Sequence, residues 1–264
     1  MNNYIDFHNH ILHAIDDGPR TLNEAVMMAR ALVTAGYSTV VVTPHSCDGN
    51  PAPALIHERL AELQAELDRL AIPLKLLPGA EQHIEPLTLE RLQQGEILTL
   101  NQTRYLLLEL PMLQPLPPYT EQLLRNLVAH GYQPIIPHPE RVTVLQRDLQ
   151  LIYRLYEAGA LFQVTWGALV GWLGPEALKT ALTMLAANLV HFFSTDAHNA
   201  ASRLLTLDKA TAILEELQGP GFAELHLVTR PGQLLANQDL DLPDPKPYEQ
   251  PVTRKNIIDY FRRA

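Results

Sequence analysis

Short apolar, β-branched runs alternate along this chain with longer stretches in which apolar residues recur at helical spacing. The runs at 4–7, 39–43, 74–77, 105–110, 133–137, 161–165 and 189–195 predict strands. The stretches near 22–36, 54–71, 119–130, 148–159, 175–187 and 206–217 predict helices. The first helix has defined ends: Thr21 with Glu24 three residues on makes a capping box, and Gly36 supplies the stop. Seven strands, each followed by a helix or loop, predict a parallel α/β domain, a barrel with one unit fewer than the usual eight. A doubly wound open sheet satisfies the same alternation.

Near residue 236 the texture changes. Pro243, Pro245, Pro247 and Pro251 predict an extended connector. Beyond it Ile257, Ile258, Tyr260 and Phe261 can share one face of a basic helix. The expected division is residues 1–235 as the α/β domain and 236–264 as connector and tail. The tail helix is expected to dock on that domain, with contact to a partner or to a homo-oligomer as the alternative.

Composition narrows the class. A chain of 264 residues with 47 % hydrophobic and 19 % charged residues suits one globular domain with a large core. The first residues lack the basic and apolar regions of a signal peptide. No apolar run approaches the roughly 18 residues of a membrane span, so no transmembrane segment is expected. Cys47 is the only cysteine, which excludes an internal disulfide framework, and the chain reads as cytoplasmic. The formal net charge of −9 argues against a nucleic-acid binder that neutralises phosphates over a wide surface. A small phosphorylated group remains open, because the local charge in a cleft can oppose the global sign.

Metal-binding residue types stand at the C-terminal ends of the predicted strands, the edge where parallel α/β folds form active sites. They are His8 and His10 with Asp16 and Asp17 beyond, His45, Glu81, Glu109, His138 with Arg141, and Asp196 with His198. Residues two apart share a face of extended chain, so His8 with His10, and Asp196 with His198, can each present two ligands to one cavity. A lone His-x-His is a weak signal; its coincidence with Asp-x-His and further strand-end ligands is specific. Asp17, Glu81, Glu109 and Asp196 gathered in one place would repel one another and drive protonation, which divalent cations prevent. Three such ions against four carboxylates leave a charge of about +2, a cationic pocket suited to phosphate. Imidazole and carboxylate without sulfur fit Mn, Fe, Zn or Co better than Ca or Mg. The register favours Asp17 over Asp16 as the ligand, leaving Asp16 to cap the loop.

The ordered set His8-x-His10, Asp17, His45, Glu81, Glu109, His138 and Asp196-x-His198 resembles the polymerase-and-histidinol-phosphatase (PHP) superfamily. More narrowly it is similar to the bacterial PHP-type protein-tyrosine phosphatases of capsule and exopolysaccharide loci. Residues 15–19, 78–81, 138–141, 163–165 with Gly167 and Gly171, and 196–199 extend the likeness over about residues 4–205. The resemblance implies a distorted seven-stranded barrel holding three divalent metal ions, manganese first, with Fe, Zn or Co as alternatives. It implies His8, His10, Glu81 and Asp196 around one ion, Glu81, Glu109 and His138 around a second, and Asp17, His45 and His198 around the third. Arg141 and Arg203 match phosphate clamps, and His198 is a candidate proton source. Trp166 stands where a small residue is common, and is expected to narrow the pocket or form an aromatic wall. The chain departs from its relatives at Ser46-Cys47-Asp48, where they often carry basic or further His residues.

The substrate the resemblance implies is phosphotyrosine on a protein, specifically a bacterial tyrosine kinase that regulates polysaccharide synthesis. Histidinol phosphate is the small-molecule alternative; a PHP-type nuclease and a non-catalytic kinase-binding scaffold are others. Cys47 is not framed by the Cys-x5-Arg loop of thiol phosphatases, so the expected chemistry is attack by metal-activated water, with Arg141 on the non-bridging oxygens. His13, His57, His83, His130, His191 and His226 are read as surface or structural residues.

Overall fold

The computed structural model describes residues 2–201 and 204–247, without the side chain of Leu205. Arg203 and the predicted tail helix therefore lie outside the described residues. The strands are β1 (Tyr4–Asn9), β2 (Tyr37–Val42), β3 (His45–Ser46), β4 (Lys75–Pro78), β5 (Glu81–His83), β6 (Tyr105–Glu109), β7 (Gln133–Pro137), β8 (Leu161–Thr165) and β9 (Phe192–Ser194). The helices are α1 (Leu22–Thr34), α2 (Pro53–Arg69), α3 (Thr88–Gln94), α4 (Thr120–Ala129), α5 (Thr143–Arg147), α6 (Gln150–Glu157), α7 (Trp166–Leu169), α8 (Pro175–Ala186) and α9 (Leu207–Gln218), then α10 (Phe222–Glu224) and α11 (Arg230–Leu235). Every strand pairing is parallel, in two sheets ordered β1-β2-β4 and β3-β5-β6-β7-β8-β9.

The seven predicted strands are all present, and two short ones are added, because two of the seven lines break and resume. β2 ends at Val42 and resumes as β3; β4 ends at Pro78 and resumes as β5. Pro44 has no N–H to continue the ladder, and its carbonyl instead accepts the Glu81 N–H at 3.0 Å. A Cβ on Gly79 would lie 2.8 Å from Val41 Cγ1, so only glycine fits this close approach. The break changes the pairing, from Val42 with Pro78 in one sheet to His45 with Glu81 in the other. It thereby places His45 beside Glu81.

On the far side, β1 lies along the end of β9. The His8 carbonyl accepts the Asp196 N–H at 2.9 Å, and the His10 N–H donates to the Ala197 carbonyl at 2.9 Å. Asp6, fully buried, anchors this junction: its carboxylate accepts from the Ser194 and Thr195 hydroxyls, the Thr195 N–H and the Asn9 amide.

Two apolar clusters form the core. The inner one holds Phe7, Val41, Tyr105, Leu107, Ile135, Leu161 and Phe192 with Leu77 packed against it, so every one of the seven predicted strands contributes. Leu234, Leu240 and Leu242 close it from below. The outer cluster packs the helices on the strands, with Met28, Leu63, Leu124, Leu155 and Ile213 facing inward. Each such side chain contributes about 1.5–3 kcal/mol of burial energy, which positions the strand ends firmly. The Thr21 hydroxyl caps α1 through the Glu24 N–H, while the Glu24 carboxylate reaches one residue further, to the Arg20 N–H at 2.7 Å. Residues 237–246 run back along the domain, with Arg104 held on Asn237 and Gln238, and Lys246 N–H on the Ala187 carbonyl.

Candidate metal centre

The ends of β1, β3, β5, β6, β7 and β9 bring all nine predicted ligands to one place. His8, His10, Glu81, His138 and Asp196 are essentially fully buried, while Asp17 and His45 stand at the rim. Four groups of potential ligand atoms each lie within 4.8 Å of one another: His8–His10–Glu81, His8–His138–Asp196, His45–Glu81–Glu109 and His10–Asp17–His45–His198. Glu81 uses both oxygens. Its Oε1 is 2.9 Å from His138 Nε2, and its Oε2 is 2.9 Å from His45 Nδ1 and 3.3 Å from the Nε2 atoms of His8 and His10. These groups share residues differently from the family partition: His45 meets Glu109 at 3.5 Å, and His138 is grouped with His8 and Asp196.

Two of these predicted ligands occupy strained backbone. His138 has φ 37 and Asp196 has φ 50, the left-handed region that β-carbons disfavour. At His138 the turn opens the short helical segment Pro139–Arg141, which brings Arg141 back over the strand ends. The Arg141 guanidinium then donates to Asp196 Oδ2 at 2.7 Å, leaving Asp196 Oδ1 to face His8 and His10 at 3.4 and 3.3 Å.

Residues that are not themselves ligands orient the imidazoles. His8 Nδ1 is 2.6 Å from Gln163 Oε1, and a side-chain amide oxygen can only accept. His8 therefore keeps a proton on Nδ1 and turns Nε2 inward, where it can hold a proton or a cation. Asp16 Oδ2 does the same for His10, at 2.8 Å from its Nδ1, and also accepts the His45 N–H. Asp16 Oδ1 takes the Gly18 N–H, which closes the loop and leaves Asp17 Oδ1 at 3.2 Å from His198 Nε2. His198 Nδ1 is fixed on the Asp196 carbonyl at 2.9 Å. The orienting roles of Gln163 and Asp16 escape sequence reasoning; the one available signal is a Gln between the apolar Phe162 and Val164 in the middle of β8.

Without cations this arrangement carries a large electrostatic tension. Burial alone would lower the pKa of His8 and His10, yet Glu81, Asp196 and, for His10, Asp16 outweigh it and raise both. His45 is pushed up to about 10, with burial opposed by Glu109 and Glu81. Glu81 is held well below the carboxylate range, its burial outweighed by the surrounding histidines. The Nε2 atoms of His8 and His10 meet at 3.2 Å, and Glu81 Oε2 is buried without an aligned donor. Inward imidazole nitrogens, an undonated carboxylate oxygen and a sulfur-free donor set fit divalent cations.

Three other predicted residues have different settings. Trp166 is 1 % exposed and stacks on Phe193 with ring centroids 4.6 Å apart, so the structure places it in the core instead of as an aromatic wall of the pocket. The reason is its position at the start of α7, directly after the buried β8. Arg203 lies outside the described residues. Cys47 is exposed beside Asp48 and Glu85, but Arg91 already pairs with both carboxylates, at 3.4 and 2.9 Å.

A parallel α/β fold with a buried histidine–carboxylate cluster at the C-terminal strand edge defines the class: a protein built around a metal centre. The chain belongs to the capsular polysaccharide synthesis family CpsB/CapC, whose sequence model matches residues 4–236. It is 36 % identical over 260 residues to the tyrosine-protein phosphatase YwqE of Bacillus subtilis, covering 97 % of this chain and 100 % of that protein. It is 28 % identical over 246 residues to the tyrosine-protein phosphatase CpsB of Streptococcus pneumoniae, covering 89 % of this chain and 99 % of that one. A crystal structure of YwqE and CpsB, described as unique metal-dependent tyrosine phosphatases, superposes with a TM-score of 0.88 at 37 % identity. That superposition covers 93 % of this chain and 100 % of the other.

Proposed function

We propose that this chain is a metal-dependent phosphatase that hydrolyses phosphotyrosine on a protein. The observation that carries the reading is the convergence of five histidines and four carboxylates, with imidazole nitrogens turned inward, in a chain of this family. His8, His10, Asp17, His45, Glu81, Glu109, His138, Asp196 and His198 would hold three divalent ions, manganese first, with Glu81 shared because both its oxygens face histidines. Such ions supply a water of lowered pKa and charge to offset the phosphate.

The chain's own residues do the rest. Arg141, fixed by Asp196 and still 23 % exposed, can direct its remaining N–H groups at the non-bridging oxygens, a fork suited to phosphate. Arg203 would join it. His198, held through Nδ1 on the Asp196 carbonyl, would act as a ligand through Nε2, so the proton for the departing phenol oxygen would come from solvent. A phenolate of pKa about 10 needs little such help, so solvent suffices. Buried Gln163 and half-buried Asp16 would keep His8 and His10 in the ligating tautomer.

The substrate proposed is a tyrosine kinase that regulates capsular or extracellular polysaccharide synthesis, which the family relationship supports, and the cytoplasm is the matching compartment. No helix among the described residues is long and apolar enough to cross a membrane. We also read the two sheets as one distorted seven-stranded barrel. The inner cluster fed by all seven predicted strands and the Asn9–Ala197 bridge between first and last strands support that reading. The test is steady-state kinetics of protein loaded with Mn, Fe, Co or Zn on a phosphotyrosine peptide and on histidinol phosphate. The peptide should be preferred and His138→Ala inactive; a tenfold preference for histidinol phosphate would overturn the substrate assignment.

A further inference from the structure

Beside the metal centre a groove of about 450 Å³ runs away along the start of α1. Its near end is made by Asp17 and His198, two of the proposed ligands, so it is continuous with the reaction site. Arg20, Glu24 and Met27 also line it. Met27 is 56 % exposed, an apolar side chain left in solvent on a helix whose other methionine, Met28, is fully buried. Arg20 is exposed and forms no ion pair among the described residues, whereas the Glu24 carboxylate is engaged by the Arg20 backbone N–H. The groove therefore offers one uncommitted guanidinium and one thioether, next to where a phosphate ester would be cleaved, in a protein of net charge −9.

We propose that this groove binds the peptide segment flanking the phosphotyrosine, with Arg20 receiving an acidic side chain and Met27 supporting an apolar one. The proposal rests on the phosphatase reading and adds a specificity site to it. A flexible thioether adapts to varied apolar side chains, and an exposed guanidinium selects for charge at modest strength. The groove begins at the centre, so the segment it takes lies within a few residues of the phosphotyrosine. The preference it creates is for acidic and apolar neighbours over basic ones.

The experiment uses the full chain loaded with manganese and compares kcat/KM on phosphotyrosine peptides whose flanks are acidic or basic, on either side. p-Nitrophenyl phosphate, which has no flank, is the reference. The wild type should prefer an acidic flank, and Arg20→Glu should cut the acidic-to-basic ratio about tenfold, mainly through KM. Met27→Ser should lower kcat/KM on apolar-flanked peptide relative to the reference. Arg69→Glu, on α2, makes the same change in net charge and should leave both ratios as they were. An acidic-to-basic ratio unchanged by Arg20→Glu, or changed equally by Arg69→Glu, overturns the groove assignment while leaving the phosphatase intact. Hydrolysis of none of these esters overturns the phosphatase reading itself.

Discussion

The Nε2 atoms of His8 and His10 face each other across 3.2 Å, and each ring's Nδ1 is already committed, to Gln163 and to Asp16. Two lone pairs at that separation are tolerable only with a proton or a cation between them. Metal coordination should therefore expel protons that the free centre holds, since His10 is raised well above the usual imidazole range by Asp16, Asp196 and Glu81, and His45 is raised to about 10. Apparent metal affinity should rise with pH, and binding near neutrality should release protons. Calorimetric titration with Mn in buffers of different ionisation enthalpy measures this; a heat independent of buffer would refute it.

Gln163 should matter without touching a substrate. Gln163→Leu removes the acceptor that holds His8 in its ligating tautomer, and should weaken metal binding about 10–100-fold. Gln163→Glu keeps an acceptor and should restore most of the affinity. Competition against a fluorescent chelator reads both, and equal losses would show that Gln163 acts only through packing.

Arg141→Lys should lower kcat about a hundredfold with metal content unchanged, because an ammonium cannot hold Asp196 and a phosphate oxygen with one planar fork. Elemental analysis alongside kinetics separates this from ligand loss. A variant that loses its metal would instead show that Arg141 serves only to hold Asp196.

Gly18 admits no side chain: a Cβ there would lie 2.2 Å from the His10 carbonyl oxygen. Gly18→Ala should push out the loop that carries Asp16 and Asp17, costing about 1–3 kcal/mol of stability and weakening metal binding together. Thermal melts with and without Mn should show the metal-induced rise in Tm reduced. A full metal-induced rise would contradict this.

His191 provides a pH dependence away from the centre. Its Nδ1 accepts the Phe162 N–H at 2.9 Å, and burial, with Arg230 close by, lowers its pKa to about 3. The neighbouring His226 is lowered as well, again by burial and then by Arg230. Between about pH 3 and the unfolded value of about 6.5 the unfolded chain binds more protons, so stability rises with pH through that window and is complete above it. Urea midpoints from pH 4 to 7 should climb less steeply in His191→Gln than in the wild type. Parallel slopes would exclude His191 as the source.

Much of this protein was legible before its fold. Strand positions followed from short apolar runs, and helices α1, α2, α4, α8 and α9 from helical periodicity and end signals. β3 and β5 were not, because two- and three-residue strands carry no period of their own. The stretch 148–159 forms α6 as its periodicity predicts, whereas α5 just before it was not legible, because five residues are too few to show a helical period. Trp166 was expected to narrow the pocket because relatives often carry a small residue there, and burial against Phe193 decided otherwise.

What the sequence determined by itself was the candidate donor set: nine His, Asp and Glu residues at or just beyond the ends of alternating apolar runs, a regularity that period-two geometry makes visible in one dimension. Only the tertiary structure decided how those donors are used. His8 is oriented by Gln163, 155 positions away, Asp196 is divided between Arg141 and two histidines, and Glu81 meets His45 because two strands break together. Tautomer, charge state and burial depend on partners met through space, and no spacing along a chain encodes those partners.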